Sequence, residues 1–144
     1  MQIFTENGLK LAPMHLAAEH TVMIDLTRPE DKLLADMRRQ TRYEVRRAGK
    51  HGITVEKSRD EAIIREFRKV QAATAKRQGY VPPNLTTLLA EKEAFGDKID
   101  IYVAKTTEEE PIAYGMIIRE GNEGDYYEAA STELNRKMPG AYAW

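Results

Sequence analysis

Two spacings of apolar residues divide the chain into a helical part and a strand part. Between residues 30 and 95 apolar side chains recur every three or four positions, as in Ile63, Ile64, Phe67 and Val70, which predicts amphipathic helices. After residue 98, segments rich in β-branched and aromatic residues alternate with polar turns, which predicts strands. Helices followed by a run of strands are typical of an α+β domain, with helices packed against a mostly antiparallel sheet.

The first helical region has a clear start and an interruption. Thr27 is the predicted N-cap, and Pro29 and the acids after it suit the first turn. Thr41 is a weaker helix former and predicts a break into a second helix. That second helix should end at Gly49 or Gly52.

Two further helices are bounded by capping residues. A long helix is predicted from Ser58 or Asp60 to the residue before Gly79. Another should begin after Asn84, a strong N-cap, and end at Gly96. The inward side of the long helix is expected to carry Ile63, Ile64, Phe67, Val70, Gln71 and Thr74.

The predicted strands fall at residues 21–26, 53–57, 99–105, 111–119 and 125–132. The last three form an antiparallel meander because only short turns join them. Asn7-Gly8 predicts a hairpin within an N-terminal arm at residues 1–20, and residues 21–144 then form the domain. The last strand would leave a sheet edge that either further chain or another molecule covers, and self-association through this edge is one of the alternatives.

Composition narrows the class of protein. The chain has 144 residues, 42% hydrophobic and 31% charged, with a net charge of -1, which suits one globular domain. This balance disfavours a dedicated nucleic-acid module, which is usually basic overall. There is no cysteine, which excludes disulfides, thiolate metal sites and a cysteine nucleophile. No apolar run approaches 18 residues and the N-terminus lacks a basic segment followed by an apolar one, so no integral membrane segment is predicted and a cytoplasmic location is expected.

A cluster of arginines stands out against this near-neutral background. Arg38, Arg42 and Arg46 recur every four residues, and Glu44 is the only acid among them. At that spacing they share one helical face, which predicts a surface for a polyanion such as RNA or a diphosphate. The alternative is a solvated face whose arginines pair with acids elsewhere in the fold.

Metal and hydrolytic sites find little support. His15, His20 and His51 have no ligand spacing, so no metal site is predicted. No serine stands in a G-x-S-x-G setting. Asp25 follows a predicted strand and could act as a general base, although such acids more often cap the next turn. No catalytic residue is assigned.

Several stretches, taken in order, resemble one family. They are residues 21–26 before an acidic helix, T-R-Y-E-V-R-R-A at 41–48, T-A-K-R-Q-G-Y at 74–80, P-I-A-Y-G at 111–115, Y-Y-E-A-A-S at 126–131 and Met138-Pro139. Across residues 20–144 the chain resembles the Fem-type (FemABX) peptidoglycan-bridge aminoacyltransferases, whose domains have the GNAT fold.

The resemblance implies transfer of an amino acid from aminoacyl-tRNA, as co-substrate, to the stem-peptide amine of a peptidoglycan precursor. It implies substrate-binding roles for Arg77, with Tyr80 nearby, and for Tyr126 or Tyr127. An arginine at a helix end can grip a phosphate, and tyrosines can stack on a base or donate hydrogen bonds. Strand alternation predicts that one of Tyr126 and Tyr127 faces the core, and Tyr127 is favoured as the functional one. The alternative role for Arg77 is capping of its own helix.

The resemblance also implies that the GNAT-like domain is incomplete at its C-terminal end. In the family, the residues that stabilise the acyl-transfer intermediate follow the helix that here begins at Pro139. The chain alone is therefore expected to have little or no transferase activity.

Two other functions remain open. In CoA-dependent GNAT acyltransferases an R-x-x-G-x-G/A loop cradles the pyrophosphate; the stretch N-R-K-M-P-G-A at 135–141 lacks that spacing, and Pro139 lacks an N–H, so acetyl-CoA is disfavoured. The other possibility is a non-enzymatic module that binds RNA or another polyanion through its arginines.

Overall fold

A computed structural model describes residues 6–8 and 20–143. The chain divides into two compact units, Met1–Asp36 and Met37–Trp144. The flanking segments of the hairpin predicted at Asn7-Gly8 lie outside the described residues. None of the described helices is long and apolar enough to cross a membrane.

In the first unit, the predicted strand at residues 21–26 is wrong. The segment joins no sheet, and its apolar side chains are exposed, Val22 by 84% and Leu26 by 78%. A strand is stable only when another strand satisfies its backbone groups, and alternation along one segment cannot supply that partner. Asp25 instead closes a turn by accepting hydrogen bonds from the N–H (3.0 Å) and hydroxyl (2.7 Å) of Thr27.

Helix α1 (Glu30–Asp36) completes the described part of this unit. Pro29, rather than Thr27, immediately precedes it, and the Pro29 carbonyl accepts from Lys32 and Leu33. The two acids of the first turn, Glu30 and Asp31, lie at the positive end of the helix dipole as expected.

In the second unit, helix α2 (Arg39–Lys50) follows a break at Met37-Arg38, not at Thr41. Arg38 has extended backbone angles (φ −58°, ψ 148°), so it precedes the helix instead of continuing it. The Arg42 guanidinium donates to the Met37 carbonyl, and this bond satisfies an acceptor at the break. The helix ends before Gly52, whose φ of 65° reverses the chain toward the first strand.

Strand β1 (Thr54–Ser58), helix α3 (Glu61–Gln78) and helix α4 (Leu85–Phe95) follow close to their predicted positions. Gly79 ends α3 in the left-handed conformation (φ 75°), which residues with a Cβ rarely adopt. Asn84 caps α4 by accepting from the Thr87 N–H at 2.8 Å. These predictions are confirmed because each capping device acts within a few residues.

Strands β2 (Ile99–Lys105), β3 (Pro111–Glu120) and β4 (Glu123–Ser131) form the predicted meander. The sheet order is β1-β2-β3-β4, and every neighbouring pair is antiparallel. Two register irregularities interrupt it, between Ala104 and Lys105 on β2 and between Met116 and Ile117 on β3. Within the sheet so described, β4 pairs only with β3, so its outer edge is open.

Helices α3 and α4 cover one face of the sheet and form the main core. Its buried members are Ile64, Phe67, Leu88, Ile99, Ile101, Val103, Tyr114, Met116 and Ala130. A smaller cluster on Ala104, Ile112 and Ala113 packs against side chains from two short 3₁₀ turns, Glu133–Arg136 and Gly140–Tyr142. Pro139 leads into the 3₁₀ turn Gly140–Tyr142, at the position where the first turn of a helix is predicted.

Candidate functional site

The C-terminal end of α3 and the last residues of β4 enclose a depression of about 190 Å³. Its lining includes Thr74 and Tyr80 from the α3 end, Tyr126 and Ser131 from β4, and Tyr114 from β3. Gly79 turns the chain back after α3, and the Tyr80 N–H donates to the Ala75 carbonyl at 3.2 Å. This turn brings Tyr80 to the same depression as Tyr126.

Arg77 lies beside this depression, in contact with two of its lining residues, and bridges the helix to the strand. Its Nη2 donates to the Thr74 hydroxyl at 3.2 Å and to the Ser131 carbonyl at 3.3 Å. The Thr74 hydroxyl contacts the same Ser131 carbonyl at 3.2 Å. Arg77 is exposed, so its guanidinium has further N–H groups to offer to a ligand. The structure therefore brings Arg77, Tyr80 and Tyr126 together on one side of the sheet edge.

Tyr127 occupies a different place. The β3–β4 register passes from Met116↔Glu128 to Ile117↔Tyr126, so Tyr127 is the extra residue of a β-bulge. The prediction that one of the two tyrosines faces the core is wrong, because the bulge breaks the alternation and leaves Tyr126 57% and Tyr127 45% exposed. The Tyr127 hydroxyl donates to Glu91 of α4 at 3.0 Å, away from the depression lining.

Tyr114 is a lining residue that the sequence did not single out for this role. It is 2% exposed and packs near Phe67, with ring centroids 6.0 Å apart. Burial, followed by the nearby Glu66 carboxylate, raises its pKa to about 12. The phenol therefore stays protonated well above neutral pH, and its hydroxyl is buried beside Glu66 in the wall of the depression.

A buried polar network joins α3, α4 and β4. Gln71, 3% exposed, donates through Nε2 to the Glu128 carboxylate. Burial raises the pKa of Glu128, and the Glu91 charge acts in the same direction against the opposing effects of Gln71 and Arg68. Gln71 Oε1, Glu91 Oε2 and two guanidinium nitrogens of Arg68 are buried without a hydrogen-bond partner. In the sequence, this buried network is indicated by Gln71, because a polar residue on the apolar side of a helix needs a buried partner.

A second ionic cluster, on the other sheet face, is structural. Asp100 is 1% exposed and binds Arg59 at 2.6 Å and Arg119 at 2.9 Å. Burial by itself would raise the pKa of Asp100, but Arg59, Lys57 and Arg119 together hold it below its ordinary value. Arg119 also donates to the Asp97 carbonyl at 2.7 Å, so the cluster ties the start of β2 to the end of β3.

The three arginines predicted as a polyanion face do not all lie on α2. Arg38 precedes the helix, and Arg42 is half-buried and bonded to the Met37 carbonyl. Arg46 is exposed on the helix. Arg38 is the N-cap of α2, and its carbonyl accepts from the Arg42 N–H at 3.0 Å. Polyanion binding by Arg38, Arg42 and Arg46 stays a prediction.

Taken together, the depression has three phenols in its lining and a guanidinium beside it, next to an open sheet edge. Phenol rings can stack on a planar group and phenol hydroxyls can donate hydrogen bonds, while a guanidinium can bind an anion. The walls of the depression hold no nucleophile paired with a base, so they suit ligand binding more than covalent catalysis.

The sequence model of the FemAB family matches residues 7–142 of the chain. The crystal structure of FemX is similar, with a TM-score of 0.73 and 15% sequence identity over 81% of this chain. The matched part makes up 45% of the FemX chain, so the present chain spans less than half of that protein. No curated protein sequence matches significantly.

At 15% identity the likeness to FemX concerns the fold, and it confirms the predicted GNAT-like α+β architecture. The family match is independent of that superposition and covers almost the whole chain. This protein therefore belongs to the FemAB family.

Proposed function

We propose that this domain binds a peptidoglycan precursor at the depression between α3 and β4, for transfer of an amino acid from aminoacyl-tRNA to the stem-peptide amine. The observation that carries the proposal is the meeting of Arg77, Tyr80 and Tyr126, which are distant in sequence, around one depression in a FemAB-family chain. Since the chain spans 45% of FemX, the domain by itself is proposed to bind precursor with little or no turnover.

Charge and shape support a nucleotide-linked ligand. Arg77 is the cation at the depression, and a guanidinium binds phosphate oxygens in a bidentate manner. Tyr80 is 42% and Tyr126 57% exposed, so each ring offers a surface on which a base or sugar can stack. Tyr127, turned toward Glu91, is proposed to contact the part of the precursor that extends past the bulge.

The segment after β4 supports the proposal that acetyl-CoA is not a substrate. Backbone N–H groups that could cradle a pyrophosphate are already used inside the segment after β4. The Gly140 N–H donates to the Met138 carbonyl at 2.8 Å, and the Ala141 N–H donates to the Asn135 side chain at 2.8 Å. Pro139 contributes no N–H at all.

Isothermal titration calorimetry with uridine-diphosphate-linked muramoyl pentapeptide tests the proposal. Arg77→Ala is expected to weaken binding about 10- to 100-fold, the range for one lost hydrogen bond to a charged group. Tyr126→Phe, which keeps the ring and removes the hydroxyl, should weaken binding by less than tenfold. Acetyl-CoA should give no heat above dilution.

Arg65→Ala is the matched control for Arg77→Ala. Arg65 lies on the same helix, is exposed, and pairs with Glu61 of its own helix instead of bordering the depression. Its variant should bind precursor as the parent does. Absence of precursor binding by the parent chain, or an equal loss in both arginine variants, would contradict the proposed site.

A further inference from the structure

Within the described part of the chain, four atoms of the buried polar network have no hydrogen-bond partner. Arg68 Nε and Nη1 are donors, and Gln71 Oε1 and Glu91 Oε2 are acceptors. Gln71 is only 3% exposed, so bulk solvent does not reach it. Folded proteins leave few buried polar atoms unpaired, and those that remain indicate a functional role, a bound group or trapped water.

The four unpaired atoms belong to side chains that lie close together. Arg68 and Gln71 are three residues apart on α3, so they lie on the same side of the helix. Gln71 Nε2 donates to the Glu128 carboxylate of β4. Burial is the main cause of the raised pKa of Glu128, and the charges of Glu91 and Arg68 also act on it, so both groups lie near Glu128. The network therefore gathers one guanidinium, one amide and two carboxylates.

The mixture of donors and acceptors selects among classes of ligand. A metal cation would suit the two acceptors but would face the Arg68 guanidinium. An inorganic anion would suit Arg68 but would face Glu91 and Glu128. An ammonium and a carboxylate on one carbon, the head group of an α-amino acid, satisfy both sets of atoms through charge-assisted hydrogen bonds.

The network borders the depression to which the precursor is assigned. Gln71 lies one helical turn before Thr74, and Glu128 lies between Tyr126 and Ala130 on β4. Thr74, Tyr126 and Ala130 all line the depression. One extended ligand can therefore occupy the depression and reach the network.

Arg68 and Arg77 mark the two ends of this region on α3. They lie nine positions apart, which corresponds to about 14 Å along the helix. A nucleotide-linked peptide is long enough to reach from one to the other, since each extended residue adds about 3.3 Å. Tyr127 lies at the surface of the network, because it is 45% exposed and its hydroxyl donates to Glu91 at 3.0 Å. A ligand reaches the four buried atoms when Tyr127 releases Glu91.

We propose that the buried polar network binds the α-amino acid head group at the end of a stem-peptide side chain. The inference rests on the proposed function, in which the depression holds the rest of the same precursor. Arg68 binds the carboxylate of the head group, while Gln71 and Glu91 accept hydrogen bonds from its ammonium group. Glu128 accepts from Gln71 Nε2 and so fixes the orientation of the Gln71 amide.

The proposed site discriminates between two classes of precursor. A precursor with diaminopimelate at the branching position of the stem peptide ends in an ammonium and a carboxylate on one carbon. A precursor with lysine there ends in an ammonium group alone, which leaves Arg68 unpaired. A hydrogen bond to a charged group changes affinity by about 10- to 100-fold, so the diaminopimelate precursor should bind more tightly by that factor.

Isothermal titration calorimetry with the two muramoyl pentapeptides, both linked to uridine diphosphate, tests this selectivity. The parent chain should bind the diaminopimelate form at least about tenfold more tightly than the lysine form. Arg68→Met should remove the difference by weakening binding of the diaminopimelate form alone. Glu91→Gln, which keeps the shape of the side chain, should weaken both forms, because both carry the ammonium group. Arg77→Ala should weaken both by the same factor and leave their ratio unchanged.

Two exposed residues supply matched controls. Arg65→Met removes a guanidinium from α3, and Glu93→Gln removes a carboxylate from α4, both outside the network. Each variant should keep the affinity for both precursors within about twofold of the parent. Thermal unfolding shows which variants are folded, and Glu91→Gln decides the inference if Arg68→Met does not fold.

A series of small ligands tests the network without the nucleotide. Norleucine carries the whole head group, whereas pentylamine lacks its carboxylate and hexanoate lacks its ammonium group on the same carbon chain. In ¹⁵N NMR spectra, norleucine should shift the signals of the Gln71 side-chain amide and of the Arg68 Nε–H. It should bind at least about tenfold more tightly than pentylamine or hexanoate.

The two experiments separate this inference from the proposed function. Equal binding of both precursors, with no response of Gln71 or Arg68 to norleucine, would overturn the head-group site alone and indicate that trapped water satisfies the network. Selectivity that survives in Arg68→Met would overturn it as well. Failure of the parent to bind either precursor would contradict the proposed function, and the norleucine series would then decide the head-group site by itself.

Discussion

Helices α2 and α3 differ in how the fold holds them, and the difference separates two kinds of surface. Over 18 residues α3 buries Ile64, Phe67, Gln71, Thr74 and Ala75. Over 12 residues α2 buries only Ala48, and polar ties such as Arg47 to the Lys137 carbonyl fasten it. Helix α3 is therefore fixed by the core, whereas α2 is held near the 3₁₀ turns by a few contacts.

This contrast explains where each helix carries its candidate chemistry. The rigid packing of α3 sets the positions of Arg77 and Tyr80 at its C-terminal end, which a site for a small ligand requires. A surface for a long polyanion needs less exact geometry, because its binding depends mainly on the number of charges. The exposed cations of α2 meet that lesser requirement.

The largest difference between the two helices should appear in the free energy of unfolding when one aromatic side chain in each helix is replaced by alanine. Phe67→Ala removes a side chain with no exposed surface and should lower the free energy of unfolding by about 3 to 5 kcal/mol. Tyr43→Ala removes an exposed ring from α2 and should change it by no more than about 0.5 kcal/mol. Urea denaturation measures both; similar losses would mean that α2 is also held by its core contacts.

A smaller difference in stability is expected between alanine variants of two glycines near the place where α2 meets the 3₁₀ turns. A Cβ on Gly140 would lie 2.5 Å from Ile112 Cγ1, so Gly140→Ala should destabilise by about 1 to 3 kcal/mol. A Cβ on Gly49 meets no atom within 4 Å, and its helical backbone suits alanine, so Gly49→Ala should stabilise by about 0.5 to 1 kcal/mol. Thermal unfolding of the two variants should therefore shift in opposite directions, and a loss in both would show that the Gly49 side of α2 is also crowded.

The smallest effect concerns the polar network that α3 shares with β4. Burial raises the pKa of Glu128 above its ordinary value of 4.5, so the fold disfavours the ionised carboxylate. The resulting loss of stability is complete above the raised pKa and disappears as the pH falls below 4.5. Glu128→Gln should therefore be slightly more stable than the parent at pH 7, by less than about 1 kcal/mol.

Urea denaturation at several pH values measures the difference in the free energy of unfolding between Glu128→Gln and the parent. The advantage of Glu128→Gln should shrink steadily below neutral pH and vanish near pH 4, where Glu128 is protonated in both the folded and unfolded chains. A variant less stable than the parent at pH 7 would contradict the prediction, and would mean that the Gln71 hydrogen bond and the charge of Arg68 together outweigh burial.

Features decided within a few residues could be predicted from the sequence. Gly79 and Asn84 end and begin helices by local geometry, and the apolar stripe of α3 identified its buried side correctly. Features that depend on a distant partner could not be predicted. Residues 21–26 have the composition of a strand but join no sheet, and Tyr127 leaves the alternation because of its register against β3.

The order and type of the elements after residue 38 were determined by the sequence alone, because helix periodicity, caps and turns act between near neighbours in the chain. The tertiary structure decided which side chains meet. It placed Arg77 against Ser131, Gln71 against Glu128 and Lys137 beside Arg47, through contacts that span 54, 57 and 90 positions. Contacts of that range depend on how helices and sheet pack together, and no local pattern of residues records that packing.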